Sequence, residues 1–273
     1  MNLTLRNSRI KLPLGQVFWR EVGQGPILVF LHSSWSDSSQ WLPVIEHLSQ
    51  DYHCFAPDLL GFGDSEKPKL HYSIQLEVEC LLNYLEALNL SQIYLIGHSL
   101  GGWIAASYAL NHGDRIRGLV LLAPEGVQTQ AKQDSSQRTW WLVSSSPIAY
   151  TILRSLLPLA RLLGRHQGIE QALQQRHLLL KSPTACELLF QRRPSEITAE
   201  LLQERLNELK VPLLILQGRN DDPQAIDRSK TYAHHTPKAQ LQLIDGGGHD
   251  VVDVLPDVVA KYIDNFVLNR ERA

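Results

Sequence analysis

Short runs of unbroken apolar residues alternate along the chain with helical patterns. Residues 27–31, 93–96, 118–122 and 212–216 lack the polar alternation of a half-exposed strand. Strands apolar on both faces belong to a sheet covered by helices on both sides, which favours parallel pairing. Residues 76–88 and 103–110 carry helical spacing between these runs. The resulting βαβα rhythm predicts an α/β fold built on a mostly parallel, doubly wound sheet. Residues 8–12 and 17–22, separated by Pro13 and Gly15, are expected to pair antiparallel at one sheet edge. Residues 240–244 would supply the last strand and 257–268 the closing helix.

The rhythm stops between 126 and 194. Leu-rich helical pieces there are punctuated by Pro147, Pro158, Gly164, Gly168 and Pro183. This block holds nine Lys/Arg and three acids, a net charge of +6 that leaves −8 for the rest of the chain. The shift marks 126–194 as an inserted all-helical subdomain, with 1–125 and 195–273 forming one discontinuous core. Across all 273 residues, 26 Lys+Arg meet 28 Asp+Glu. That balance lacks the basic excess of a nucleic-acid binder. Cys54, Cys80 and Cys186 are odd in number and widely spaced, the pattern of buried thiols in a reducing compartment. The N-terminus has Arg6 where a signal peptide needs its apolar run, and no stretch approaches the roughly 20 apolar residues of a membrane span. A cytoplasmic protein without stable membrane insertion is expected.

The chemistry concentrates where strands are expected to end. Gly97-His98-Ser99-Leu100-Gly101 sits between a strand and a helix, the setting in which G-x-S-x-G presents a nucleophilic serine. The glycines let strand and helix approach closely around a strained turn, and the new helix points its N–H groups toward the hydroxyl. No G-x-G-x-x-G or G-x-x-x-x-G-K-[ST] accompanies it, so a nucleotide-binding turn does not fit. A serine needs a base. His249 follows Gly246-Gly247-Gly248 after the last expected strand, on an irregular loop able to carry an imidazole over the carboxyl edge of the sheet. The imidazole needs an acid. Asp221 and Asp222 both follow the strand at 213–216, Glu125 follows the strand at 119–122, and the pattern alone does not choose among them. The hydroxyl-rich loop His32-Ser33-Ser34-Trp35-Ser36-Asp37-Ser38 after the strand at 27–31 is placed to aim backbone N–H groups at an oxyanion, joining that of Leu100.

With these elements in order, the chain resembles the α/β-hydrolase superfamily, and more closely its cap-bearing, serine-nucleophile branch. Asp58-Leu59-Leu60-Gly61-Phe62-Gly63-Asp64-Ser65 is similar to the family's D-x-x-G-x-G-x-S segment after its second parallel strand. His32 matches the histidine opening the family's oxyanion loop, which implies Ser34 as the second N–H donor. Ser33 stands where the family usually has glycine, a position at which positive φ would strain a serine. Family spacing puts the acid three residues after Gly218, which selects Asp221. The stretch from Gly248-His249 through Asp253 to Pro256 is similar to the family's histidine loop and final helix.

The resemblance implies a catalytic triad of Ser99, Asp221 and His249, an oxyanion hole from the N–H groups of Ser34 and Leu100, and a helical cap over the core. Trp140-Trp141-Leu142-Val143 and the Leu-rich pieces after Ile152 would then line a largely hydrophobic pocket. The insert's arginines are expected to form solvated helix faces; attraction to an anionic substrate or membrane surface is the other reading. The expected function is hydrolysis of an ester or similar acyl bond of a small molecule through an acyl-enzyme. The same triad serves carbon–carbon bond hydrolases, lactonases, thioesterases and cofactor-free perhydrolases. A ligand receptor on this fold with little turnover is the competing class. No metal or organic cofactor is implied, since H-E-x-x-H, clustered His/Cys ligands and dinucleotide fingerprints are missing from the sequence.

Overall fold

The computed structural model describes residues 4–129, 151–152, 154–158, 170 and 182–272. It divides the chain into two compact units, 1–130 with 200–273, and 131–199. These boundaries fall five residues later on each side than the composition shift marks. Gly126 is tied to the larger unit, its carbonyl accepting from the Leu202 N–H at 2.8 Å. The helix Pro194–Ala199 goes with the smaller one.

The larger unit is built on an eight-stranded sheet. Its strands are β1 (Arg6–Lys11), β2 (Gln16–Val22), β3 (Ile27–Leu31), β4 (His53–Pro57), β5 (Ile93–His98), β6 (Ile116–Leu122), β7 (Leu213–Gly218) and β8 (Ala239–Ile244). They lie in the order β1-β2-β4-β3-β5-β6-β7-β8. β1 and β2 form the expected antiparallel edge pair, β2 is antiparallel to β4, and all remaining neighbours are parallel. The helices are α1 (Leu42–Leu48), α2 (Ile74–Ala87), α3 (Leu100–His112), α4 (Pro223–His235) and α5 (Pro256–Glu271). They pack on both sides of the sheet. Leu28, Val29, Phe30 and Leu31 are all fully buried, as are Leu119 to Leu122. That double burial is the reason these strands carry no polar alternation.

β4 and α1 escaped the hydrophobic pattern. His53-Cys54-Phe55-Ala56-Pro57 is bracketed by a polar and a helix-breaking residue, yet it pairs with both β2 and β3. α1 spans only seven residues, too few to display a periodicity.

The strand order reverses direction between β3 and β5. At such a switch point two neighbouring connections leave to opposite faces and open a crevice beyond the carboxyl ends of the strands. His32 follows β3 there and Ser99 follows β5.

In the smaller unit the described helical stretches include Pro183–Cys186 and Pro194–Ala199. Trp140, Trp141, Leu142, Val143 and the apolar positions 162–163 lie outside the described residues.

Candidate active site

Ser99 lies at the junction of β5 and α3 with φ 53° and ψ −111°. A non-glycine residue in that region carries strain of about 1–3 kcal/mol, which the surroundings must hold in place. They do so through the main chain. The Ser99 N–H donates to the Leu122 carbonyl at 2.9 Å, and its own carbonyl accepts from Trp103 N–H at 3.1 Å and Glu125 N–H at 3.2 Å. A Cβ at Gly101 would collide with the carbonyl oxygens of Leu31 and His32, and one at Gly97 with the backbone of Gly101. These two glycines bring β3, β5 and the start of α3 into direct backbone contact. Leu100, the first residue of α3, is fully buried directly after the serine.

The loop after β3 is braced from three directions. The Leu59 N–H donates to His32 Nε2 at 3.0 Å, so the ring proton sits on Nδ1 and donates to the Ser33 carbonyl at 2.8 Å. Burial lowers the His32 pKa and keeps this ring neutral. The Ser33 N–H donates to Gln40 Oε1 at 3.0 Å. Asp58 Oδ1 accepts from the Ser38 N–H at 2.7 Å. The D-x-x-G-x-G-x-S segment therefore works as scaffold: Asp58 Oδ2 also takes the Asp64 N–H at 2.6 Å, and the Ser65 hydroxyl donates to the Asp58 carbonyl at 2.8 Å. Ser33 is not among the non-glycine residues at positive φ, so the expected strain there is not found. Ser34 is buried in this loop.

Structure separates the two neighbouring aspartates that the pattern left equivalent. Asp221 Oδ2 lies 3.0 Å from His249 Nδ1 and also accepts from Gln217 Nε2 at 2.8 Å; Oδ1 accepts from the Asp222 N–H at 2.7 Å. Asp222 instead caps α4 by accepting from the Gln224 N–H at 2.8 Å. The Asp221 side chain is only 4% exposed, so its partners decide its state. Burial alone would raise its pKa, but the hydrogen bonds from His249, Gln217 and Asp222 and the charge of His249 outweigh it and leave the carboxyl below its ordinary value.

The histidine loop reaches Asp221 because glycines let it close onto β7. A Cβ at Gly218 would strike the carbonyls of Gly247 and Gly248, and the Asn220 N–H donates to the Gly247 carbonyl at 2.9 Å. Close approach, and not loop freedom alone, explains the glycine run. The His249 ring is 44% exposed. Its desolvation pulls its pKa down, while the hydrogen bond and charge of Asp221, with Glu125 adding to them, outweigh that and raise it above the ordinary histidine value.

Three polar residues of this region had no signature in the sequence. His98 is fully buried, its pKa pushed down to about 3 chiefly by desolvation, and its ring lies 5.0 Å from that of His249. Gln40 donates from Nε2 to His98 Nδ1 at 3.1 Å while its Oε1 holds the Ser33 N–H, joining the β3 loop to the serine turn. Gln217 orients Asp221 and is itself held by the Ser229 hydroxyl at 2.6 Å. A lone glutamine carries no spacing signal, so only the folded neighbourhood exposes these roles. Of these three histidines, His249 alone has its pKa raised, while those of His32 and His98 are lowered.

Glu125 is close by as well. The Ser99 hydroxyl donates to Glu125 Oε1 at 3.3 Å. The Ser99 hydroxyl thus lies on one carboxylate, that of Glu125, and the His249 imidazole on another, that of Asp221. Among the described residues, no group of three or more His, Cys, Asp or Glu is arranged to hold a metal ion, and no helix is long and apolar enough to cross a membrane.

The arrangement has counterparts. Residues 28–262 match the model of the alpha/beta hydrolase family. The chain is 24% identical over 259 residues to human monoacylglycerol lipase ABHD6, covering 90% of this chain and 76% of that one. The bovine monoacylglycerol lipase ABHD6 is 25% identical over 256 residues with the same coverage. In fold, the chain superposes on a bacterial membrane phospholipase A with a TM-score of 0.75 at 23% identity, covering 98% of this chain and 87% of that one. It superposes equally, with a TM-score of 0.75 at 19% identity and complete coverage of both chains, on 2-hydroxy-6-oxo-6-phenylhexa-2,4-dienoate hydrolase from Rhodococcus. With its switch-point site, serine turn and matched length, this chain belongs to the alpha/beta hydrolase family.

Proposed function

We propose that the protein is a serine hydrolase that cleaves an ester or related acyl bond of a small, largely hydrophobic molecule through an acyl-enzyme, without a cofactor. The observation that carries this reading is the Asp221–His249 pair at 3.0 Å together with a serine held at positive φ on the strand-to-helix turn. Monoacylglycerol lipases among its relatives favour an ester over a carbon–carbon bond.

The chemistry follows from the geometry. The Ser99 hydroxyl turns from Glu125 to the neutral imidazole of His249, which takes its proton as Oγ attacks the carbonyl carbon. Asp221 stabilises the imidazolium so formed and fixes Nε2 as the working nitrogen. Backbone N–H groups of Leu100 and Ser34 receive the negative charge that develops on the carbonyl oxygen. His249 returns the proton to the leaving alcohol. Water, activated by the same ring, then releases the acid.

A fluorophosphonate probe tests the assignment, because it phosphonylates only an activated serine. Intact-protein mass spectrometry should show one adduct on the wild type and none on Ser99→Ala. Equal labelling of both would refute the reading.

A further inference from the structure

The second carboxylate has no task in the scheme above, yet it is held more firmly than a loop residue needs to be. Glu125 is fixed on both sides of its peptide: its N–H bonds the Ser99 carbonyl at 3.2 Å, and its carbonyl accepts from the Tyr232 hydroxyl at 2.6 Å. Tyr232 is fully buried. Directly after Glu125, Gly126 stands at φ 93° against the Trp103 ring, where a Cβ would not fit. The side chain so anchored is half-buried, and its Oε1 lies 3.3 Å from the attacking oxygen. It is not the acid that orients the base, since Asp221 occupies His249 Nδ1.

The donor that Glu125 holds at rest is consumed by the reaction. Once the Ser99 proton passes to His249 and Oγ becomes an ester oxygen, the carboxylate loses its hydrogen-bond donor. A negative charge is then building on the adjacent tetrahedral centre. A partly buried carboxylate left without a donor is costly. A substrate that brings its own O–H to this position restores the bond during the reaction, whereas an alkyl ester cannot. A substrate carrying a carboxylate of its own is repelled.

We propose that Glu125 is the specificity-determining residue of this site. It accepts a hydrogen bond from a free hydroxyl on the alcohol part of the substrate, and so selects partial esters of polyols over simple alkyl esters. The inference rests on the serine-esterase reading and deepens it. A site that hydrogen-bonds a substrate hydroxyl discriminates against the analogue lacking it far more sharply than an apolar pocket discriminates a methylene.

The test compares two esters with the same acyl chain and the same three-carbon alcohol skeleton, glycerol monobutyrate and propyl butyrate. Ethyl 3-hydroxybutyrate against ethyl butyrate forms a second pair with the hydroxyl on the acyl side. The wild type should favour glycerol monobutyrate over propyl butyrate in kcat/KM by at least tenfold. Glu125→Ala should lower that ratio at least tenfold. Glu125→Gln, which keeps an acceptor oxygen and the side-chain volume, should lower it less and preserves the test where the alanine variant fails to fold. Overturning results are a wild-type ratio near one, a ratio unchanged in both variants, or a Glu125-dependent preference confined to the acyl-side pair. The serine-esterase reading is judged separately by probe labelling: loss of labelling specificity at Ser99 condemns that reading, while specific labelling with an unchanged ester ratio condemns only the role of Glu125.

Discussion

Single residues set the protonation of the site. In the proposed mechanism His249 serves as a base only when neutral, and Asp221 raises its pKa above the ordinary value near 6.5. A raised value means that kcat/KM should climb with pH through an acid limb lying above 6.5 and level off at higher pH. Asp221→Asn removes the chief raising cause and leaves burial, which acts in the opposite direction, opposed only by the smaller effect of Glu125. Its acid limb should therefore move down, alongside a fall in kcat of order 10⁴ from loss of the correct tautomer. Asp222→Asn should leave the limb in place and cost a fraction of that, because its carboxylate serves the α4 cap. Stopped-assay pH profiles of the three proteins check this. An acid limb in Asp221→Asn that coincides with the wild type would remove Asp221 from the mechanism.

At the scale of elements, α2 carries an unusual burden. Glu77 is fully buried on it, and desolvation pushes its pKa up to about 8 from an ordinary 4.5, opposed by one hydrogen bond from the Leu60 N–H at 3.2 Å. Its Oε1 has no partner, and Tyr84 Oη lining the same small cavity has none either. Leu60 adjoins Leu59, whose N–H holds His32 and with it the β3 loop. A neutral Glu77 therefore supports the segment that braces the loop after β3. Between pH 4.5 and 8 the folded chain keeps a proton that the unfolded chain has released, so this residue costs stability progressively as pH rises. Glu77→Gln, neutral throughout, should match the wild type near pH 5 and exceed it at pH 8 by on the order of a few kcal/mol. Urea denaturation at the two pH values gives the comparison, and a gap that stays constant with pH would contradict the account.

Across the whole molecule, burial governs the thiols. Cys54, Cys80 and Cys186 are all buried and none is in a disulfide. Burial pushes the Cys54 thiol up to about 12 and raises Cys80 likewise, so neither offers a thiolate near neutral pH. Cys54 lies on β4, an interior strand between β2 and β3, and Cys80 on α2, both within the larger unit. Their modification should need cooperative opening of that unit. A disulfide-exchange reagent should label Cys54 and Cys80 at the rate of global unfolding measured independently. Labelling at either position within the mixing time under native conditions would show that the core opens locally.

The alternation of apolar runs and helical patterns determined the α/β class, the parallel centre of the sheet and the antiparallel edge, because burial on both faces erases polar alternation wherever it occurs. The turn at Ser99 was legible from its glycines, since a close backbone approach leaves no other residue type there. His249 was legible for the related reason that a glycine run lets the chain press onto β7. The carboxylate that bonds His249 was only half legible. Asp221 and Asp222 are adjacent and identical in chemistry, and it is the path of the chain at the end of β7 that turns one toward His249 and the other into a helix cap. Glu125 stood among three acid candidates by position, but its hydrogen bond to Ser99 arises from the register of β5 beside β6, across 26 residues of chain. Gln40, His98, Gln217 and Glu77 left no mark in the sequence, because a single polar residue acquires its role from neighbours that folding alone brings within hydrogen-bond reach.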